Sequence, residues 1–147
     1  MSARAHCSTI SSALAGSTPI ATAQRLYDAM AHADGEALFG LLTDDFVGTV
    51  SAGMPHGVGG EHRGAADMIV SVWGRIATEY DIHVDPQEYL CVDDERVVVL
   101  GRYRGTARDG GSAVDATFAH VITTRGRRIA ALQQITDTAR WRVGVAS

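Results

Sequence analysis

Apolar residues recur at three-and-four spacing through Ile20, Ala23, Tyr27, Met30 and Ala31, then through Leu38, Phe39, Leu41 and Leu42, and again through Met68, Ile69, Val72, Trp73 and Ile76. That spacing predicts three amphipathic helices. Thr18 can cap the first, and Pro19 sits where its missing N–H costs nothing. Asp34 opens the second after the connection Ala33-Asp34-Gly35, and Thr43-Asp44-Asp45 ends it ahead of a short strand from Phe46 to Ser51. The third runs from near Gly64 to about Glu79. From Tyr80 the pattern turns extended. The expected strands are Asp81 to Val92, with Pro86 marking a bulge or an edge, then Arg96 to Ala107, then two runs within Ser112 to Asp137. Asp93-Asp94-Glu95, Arg108-Asp109-Gly110-Gly111 and Arg125-Gly126-Arg127 supply the turns. Helices gathered before an antiparallel meander indicate an α+β fold in which one sheet curls around packed helices.

Period-two alternation puts Ala116, Phe118, His120 and Ile122 on one face of their strand and Asp115, Thr117, Ala119, Val121 and Thr123 on the other. Both faces are largely apolar in the middle. The sheet is therefore expected to be covered twice, by helices on one side and a second subunit on the other. His120 beside Phe118 points inward, either as a core histidine with both nitrogens satisfied or as a pocket group. In the last strand, strict alternation sets Gln134 apart from Asp137 and groups Ile129, Ala131 and Gln133 with that carboxylate; a bulge between Ala131 and Ile135 would reverse part of this. Asp137 is thus a pocket acid or a solvated strand-end carboxylate. Tyr27 is a packing residue or a phenolic donor, and Trp73 is core or cavity wall. Tyr89 and Tyr103 read as strand packing.

The stretch from Ala52 to Arg63 holds four glycines, one proline and two histidines, the character of a surface loop that can carry function or lid a pocket. His56 and His62 have no third ligand at a metal-binding spacing, so no metal is expected. No Ser lies in a Gly-rich strand-to-helix elbow, which removes support for nucleophilic hydrolysis.

With 147 residues the chain is one ordinary domain. Residues 1–17, rich in Ser, Thr and Ala, read as a disordered tail, and residues 18–143 as the folded domain. The chain is 46% hydrophobic and 20% charged with a net charge of -4, and it has no long basic run. Nucleic acid is excluded as a partner. No apolar run approaches the roughly 20 residues that cross a bilayer. Cys7 and Cys91, far apart in sequence, are expected as free thiols, and the protein as cytoplasmic.

The segments LYDAMAHADGEALFGLLTDDF, GEHRGAADMI, VVVLGRYRGTA and FAHVITTRGRRIAALQQITDTA, in that order across Pro19 to Ala139, resemble the nuclear transport factor two-like superfamily. This is the fold of ketosteroid isomerase, limonene epoxide hydrolase and the SnoaL-like polyketide cyclases. The resemblance implies a cone-shaped, cystatin-like α+β barrel: a curved antiparallel sheet around three N-terminal helices, a deep pocket between them, and a homodimer formed through the outer sheet face. It also implies that Asp137 stands where cyclases and epoxide hydrolases of this fold place an acid or base, and that His120 matches a pocket histidine. The loop PHGVGGEHRG looks about two residues longer than its counterpart. No counterpart of the tyrosine and paired aspartates of ketosteroid isomerase is visible, nor an Asp-Arg-Asp set for epoxide opening, though Arg102 or Arg104 could supply a cation.

A carboxylate in an apolar pocket is desolvated, its pKa rises, and it becomes a useful base. With a donor at the carbonyl oxygen it can abstract an adjacent proton. The expectation is a cofactor-independent cyclase or isomerase acting on a polyketide-like or other hydrophobic carbonyl compound. Asp137 and His120 would be the acid/base pair, and Tyr27, Trp73, Phe118, Gln134, Arg102 and His56 would contact substrate. The alternatives are a non-catalytic small-molecule-binding or accessory protein, which the fold alone does not separate from an enzyme, and an epoxide hydrolase or epoxide-opening cyclase.

Overall fold

The computed structural model describes residues 3–6 and 18–141. In chain order it contains β1 (Arg4–His6), α1 (Pro19–Ala31), α2 (Gly35–Leu41), β2 (Leu42–Val50), β3 (Gly60–Arg63), a π-helical segment (Asp67–Gly74) running into α3 (Arg75–Glu79), β4 (Tyr80–Cys91), β5 (Arg96–Ala107), β6 (Ala113–Arg125), β7 (Arg128–Thr136) and α4 (Thr138–Trp141). One curved seven-stranded sheet has the order β1-β4-β5-β6-β7-β2-β3. The α+β architecture expected from the periodicity is the one observed.

Local signals in the sequence act where they stand. The Thr18 side chain accepts from the Ala21 amide at 3.2 Å and the Asp34 carboxylate from the Ala37 amide at 3.0 Å, which satisfies donors that a helix start leaves open. Gly126 turns β6 into β7 at φ 66°, a conformation that costs glycine nothing. The β4–β5 register shifts between Pro86 and Glu88, as the proline requires. Leu26 and Ala23 of α1 and Met68 and Val72 of the π-helical segment press onto the inward residues Val97, Val99, Ile122, Ile129 and Leu132, all buried.

Several expectations need correction. The second helix ends earlier than expected, and β2 already begins at Leu42 with an irregularity before Val47. β2 joins β7 in parallel, so the sheet is not wholly antiparallel. Part of the glycine-rich loop forms β3 against β2. Arg4–His6 of the expected tail pairs in parallel with Glu88–Leu90 as β1, and the backbone donors and acceptors on the free edge of β4 explain why three exposed residues are held there. The remainder of the expected tail, Cys7 included, and the stretch 142–143 lie outside the described residues. Cys91 is disulfide-bonded, which overturns its reading as a free thiol.

The decisive irregularity is in β7. The β6–β7 register slips between the pairs Thr123–Ala131 and Thr124–Ile129, leaving Ala130 as the extra residue. The bulge lies just ahead of the stretch where alternation might have been reversed. It lets Ile129, Leu132 and Gln134 share the buried face while Gln133, Ile135 and Asp137 point outward.

Candidate functional site

Between the helices and the concave face of the sheet lies a cavity of ≈ 490 Å³. Its walls are mainly apolar: Met30 and Leu38 from α1 and α2, Met68, Val72 and Trp73 from the π-helical segment, Ile82 and Val84 from β4, and Leu132 from β7. Tyr103, His120 and Gln134 contribute polar wall on the sheet side, and Trp141 closes one part of it. The volume and the mixture of a greasy wall with a few placed polar groups suit one small organic ligand. A broader depression beside His56, Val70, Ser71 and Arg75 is lined only by partly or fully exposed residues and lacks that character.

The polar groups form one buried network built from register. In β6, His120 faces inward opposite Gln134 of β7 and Val99 of β5. In β5, Tyr103 shares the inward face with Val97, Val99 and Gly101. Small neighbours make room: Ala116 is the cross-strand partner of Tyr103, and a Cβ on Gly101 would collide with the Asp85 carbonyl and lie 2.6 Å from the Phe118 ring. His120 Nδ1 lies 2.8 Å from the Tyr27 hydroxyl and Nε2 2.5 Å from that of Tyr103. The Gln134 amide donates to the Tyr103 oxygen at 3.2 Å. That amide is oriented by Ser51, whose backbone N–H, a group that can only donate, meets Oε1 at 3.3 Å. The Ser51 hydroxyl donates to the Gln134 carbonyl and accepts from the Thr136 amide. Phe118 stacks on the imidazole with ring centres 4.0 Å apart.

Burial sets the electrostatics. His120 is pushed down to about 3 by desolvation, because the charged imidazolium would lose its hydration among phenols and an amide with no anion to offset it. Desolvation drives Tyr27 and Tyr103 well above the ordinary phenol value. The network is neutral at physiological pH. It can donate and accept hydrogen bonds, but its histidine is a weak base.

The anticipated site residues divide accordingly. Trp73, His120 and Gln134 line the cavity. Tyr27 is buried behind His120 and reaches the cavity only through it, and Phe118 is buried beneath the imidazole. Asp137 is not brought to His120: its side chain is 50% exposed and faces Arg140 at 3.9 Å, because the β7 bulge fixes the outward register. Arg102 lies on the outer face, where it donates to Asp115 at 2.8 Å, since alternation in β5 sends Tyr103 inward and its neighbour outward. His56 sits in the loop at φ 64° and bonds the Tyr80 hydroxyl at 3.1 Å, outside the cavity wall. The residues that sequence reasoning missed are Tyr103 and Ser51. Tyr103 carried a usable signal, since its β5 register is shared with buried valines and its cross-strand partner is an alanine.

The family model described as the SnoaL-like domain matches residues 23–132. The chain belongs to this family. The SnoaL-like segment extends from α1 into β7, so it includes Tyr27, Tyr103 and His120 and ends just before Gln134. No curated protein matches the sequence. A similar solved structure is an NTF2-like protein of unknown function from Burkholderia pseudomallei, 27% identical, covering 88% of this chain and 98% of that one with a TM-score of 0.77. The fold is also that of TerC co-crystallised with polyporic acid (23% identity, 84% and 95% covered, TM-score 0.75). A candidate polyketide cyclase from Sinorhizobium meliloti has it too (22%, 78% and 93%, TM-score 0.60). Among the described residues, no helix of this SnoaL-like chain is long and apolar enough to cross a membrane.

Proposed function

We propose that this SnoaL-like protein is a cyclase for a hydrophobic, polyketide-like carbonyl compound. Its chemistry would rest on hydrogen bonds from the cavity wall and not on a carboxylate base. The observation that carries this reading is the coupled set Tyr103, His120 and Gln134, buried at the wall of a mainly apolar cavity to which the charged or titratable residues Asp81, His83 and Arg108 contribute only as exposed residues. The only carboxylate residue contributing to that wall among the described residues is Asp81, itself exposed. A substrate with 1,3-related carbonyls already exists partly as its enol, so its ring closure needs activation of the acceptor carbonyl more than a strong base. In that step the enol carbon forms a bond to the acceptor carbonyl carbon and the C=O electron pair moves onto oxygen. The proton leaving the enol oxygen balances the one the new alkoxide takes up. A donor aimed at that oxygen in a water-poor cavity stabilises the developing charge. Double-bond isomerisation, which must remove a less acidic C–H proton, has less support without a buried carboxylate. Epoxide opening has less support too, since the described residues at the cavity wall include no pair of acids to activate water and protonate oxygen. The cyclase-like fold neighbour is consistent with this reading.

We also infer a homodimer through the outer sheet face, where Val98, Leu100, Ala119, Val121 and Ile135 form an apolar patch flanked at one end by the Arg102–Asp115 and Arg104–Asp85 ion pairs.

A linear 1-aryloctane-1,3,7-trione, whose enol carbon between the first two carbonyls closes a six-membered ring on the third, followed by mass spectrometry for ring closure with loss of water, tests the activity. Wild type is expected to accelerate closure over buffer, and Tyr103→Phe to lower kcat by about 10²-fold, the size associated with one oxyanion donor. Recovery of a bound, chemically unchanged triketone from wild type would instead establish a binding protein.

A further inference from the structure

We propose that Tyr27, outside the cavity, fixes the proton order of the whole network, so that Tyr103 presents its hydroxyl hydrogen to the ligand and the site selects an oxygen acceptor. The selection part rests on the carbonyl-pocket reading above. The proton order rests on the structure alone.

Each polar hydrogen of the network needs an acceptor. A neutral imidazole has one N–H and one bare nitrogen, and both nitrogens of His120 face a phenol. The Tyr27 hydroxyl is buried, and Nδ1 is its one hydrogen-bond partner among the described residues. If Nδ1 carried the hydrogen, the Tyr27 O–H would be left buried with no acceptor, which native interiors avoid. Tyr27 therefore donates to Nδ1, and the imidazole hydrogen sits on Nε2, 2.5 Å from the Tyr103 oxygen. The same oxygen receives the Gln134 amide hydrogen, whose orientation the Ser51 N–H dictates. With two donors directed into it, the Tyr103 oxygen has no acceptor left in the network for its own hydrogen. Tyr103 belongs to the cavity wall, so that hydrogen is available to whatever fills the cavity. Donation into the phenol oxygen also strengthens donation out of it, since chained hydrogen bonds polarise one another. The ligand group this arrangement fits is a ketone, quinone or enolate oxygen. An amine or alcohol that must donate at that position finds no acceptor. Tyr27 is a positioning residue that acts through His120.

Two measurements decide the matter. Long-range ¹H–¹⁵N correlation on the intact ¹⁵N-histidine-labelled protein reads the His120 tautomer directly, with the signal assigned by its loss in His120→Gln. A neutral ring protonated at Nε2 is expected at pH 7, and a shift toward mixed tautomers in Tyr27→Phe. A wild-type ring protonated at Nδ1 would overturn the proposal, even if Tyr27→Phe does not fold. The second uses two isosteric compounds, 2-acetylnaphthalene and 2-isopropenylnaphthalene, which differ by C=O against C=CH₂. Wild type is expected to prefer the ketone about tenfold, the size of a typical hydrogen bond. The ratio should fall toward one in Tyr103→Phe and partway in Tyr27→Phe. An unchanged ratio in Tyr103→Phe, or no preference in wild type, refutes donation to the ligand. Neither assay involves turnover, so a failure of the cyclase reading leaves both outcomes interpretable. If neither compound binds, the carbonyl-pocket reading fails and the tautomer alone judges the relay.

Discussion

Acidification should destabilise this protein through His120 before most of its carboxylates respond. The imidazole titrates from an ordinary value of 6.5 in the unfolded chain to about 3 in the fold. Between these values the unfolded state binds the extra proton, so stability rises with pH there and falls as pH is lowered. The contribution is complete above about pH 6.5, declines steadily below it and levels off near pH 3. At pH 5 the unfolded imidazole is almost fully charged and the folded one almost fully neutral. With one proton linked over that interval, the loss relative to pH 7 is about 2 kcal/mol. Asp45, Asp67, Asp93 and Asp115 all have lowered carboxyl values. Their contributions are held above the ordinary carboxylate range and lost only beneath it, so they leave the window above pH 5 largely to histidines. Urea unfolding at pH 7 and pH 5 measures the effect. With a slope of about 2 kcal/mol per molar, the wild-type midpoint should drop by about 1 M, and the His120→Gln midpoint should move much less, whatever its absolute stability. An equal drop in both proteins would refute the neutral buried imidazole. If the variant does not fold, an imidazole resonance assigned to His120 by its proximity to the Tyr27 and Phe118 rings, and titrating near 6.5 in the native protein, refutes it as well.

Other perturbations separate the cavity from its surroundings. Asp137→Asn should leave triketone closure within about twofold of wild type and stability within about 0.5 kcal/mol, as for an exposed substitution; a loss of turnover, measured by the same mass-spectrometric assay, would return that carboxylate to the mechanism. Gly101→Ala should destabilise by about 1–3 kcal/mol through overpacking, because its Cβ meets the Phe118 ring and the Asp85 carbonyl; a urea midpoint equal to wild type would show that Phe118 yields freely. Light scattering should give twice the monomer mass for wild type and a shift toward monomer for Val121→Arg, whereas a monomeric wild type would remove the dimer.

The helix starts and the β6–β7 turn were legible because their causes are local: Thr18, Asp34 and Gly126 each act on backbone within three residues. Burial of His120 was legible from alternation in one strand. What failed was information that a strand does not carry by itself. The outward direction of Asp137 depends on one extra residue, Ala130, and a single-residue slip exchanges the faces of everything beyond it. Arg102 was placed as a cation for the pocket, although period two puts it opposite Tyr103, so here the periodicity was available and a family expectation displaced it. The inward direction of Tyr103 was legible from its strand, but its hydrogen-bonding role was not, because its hydroxyl partners, His120 and Gln134, are 17 and 31 residues away. Nothing local in Arg4–His6 predicts a strand, since its pairing is supplied by β4.

An ionised acid/base pair and a neutral donor network make opposite demands on pH, and this distinguishes the site built here from the one the strand-end carboxylate suggested. An acid/base pair works only between its two pKa values, giving a rate profile with limbs near them. In the observed network, burial lowers His120 to about 3 and raises Tyr103 well beyond physiological pH, so none of its members changes charge between about pH 5 and pH 9. The substrate's own enolisation will still bend the observed rate, but it bends wild type and Tyr103→Phe alike. Their kcat ratio should therefore be flat across that range. A ratio that falls below pH 6.5, and recovers its flatness in His120→Gln, would mean that the imidazole does take up a proton during turnover, and that ligand binding opens this cluster to water.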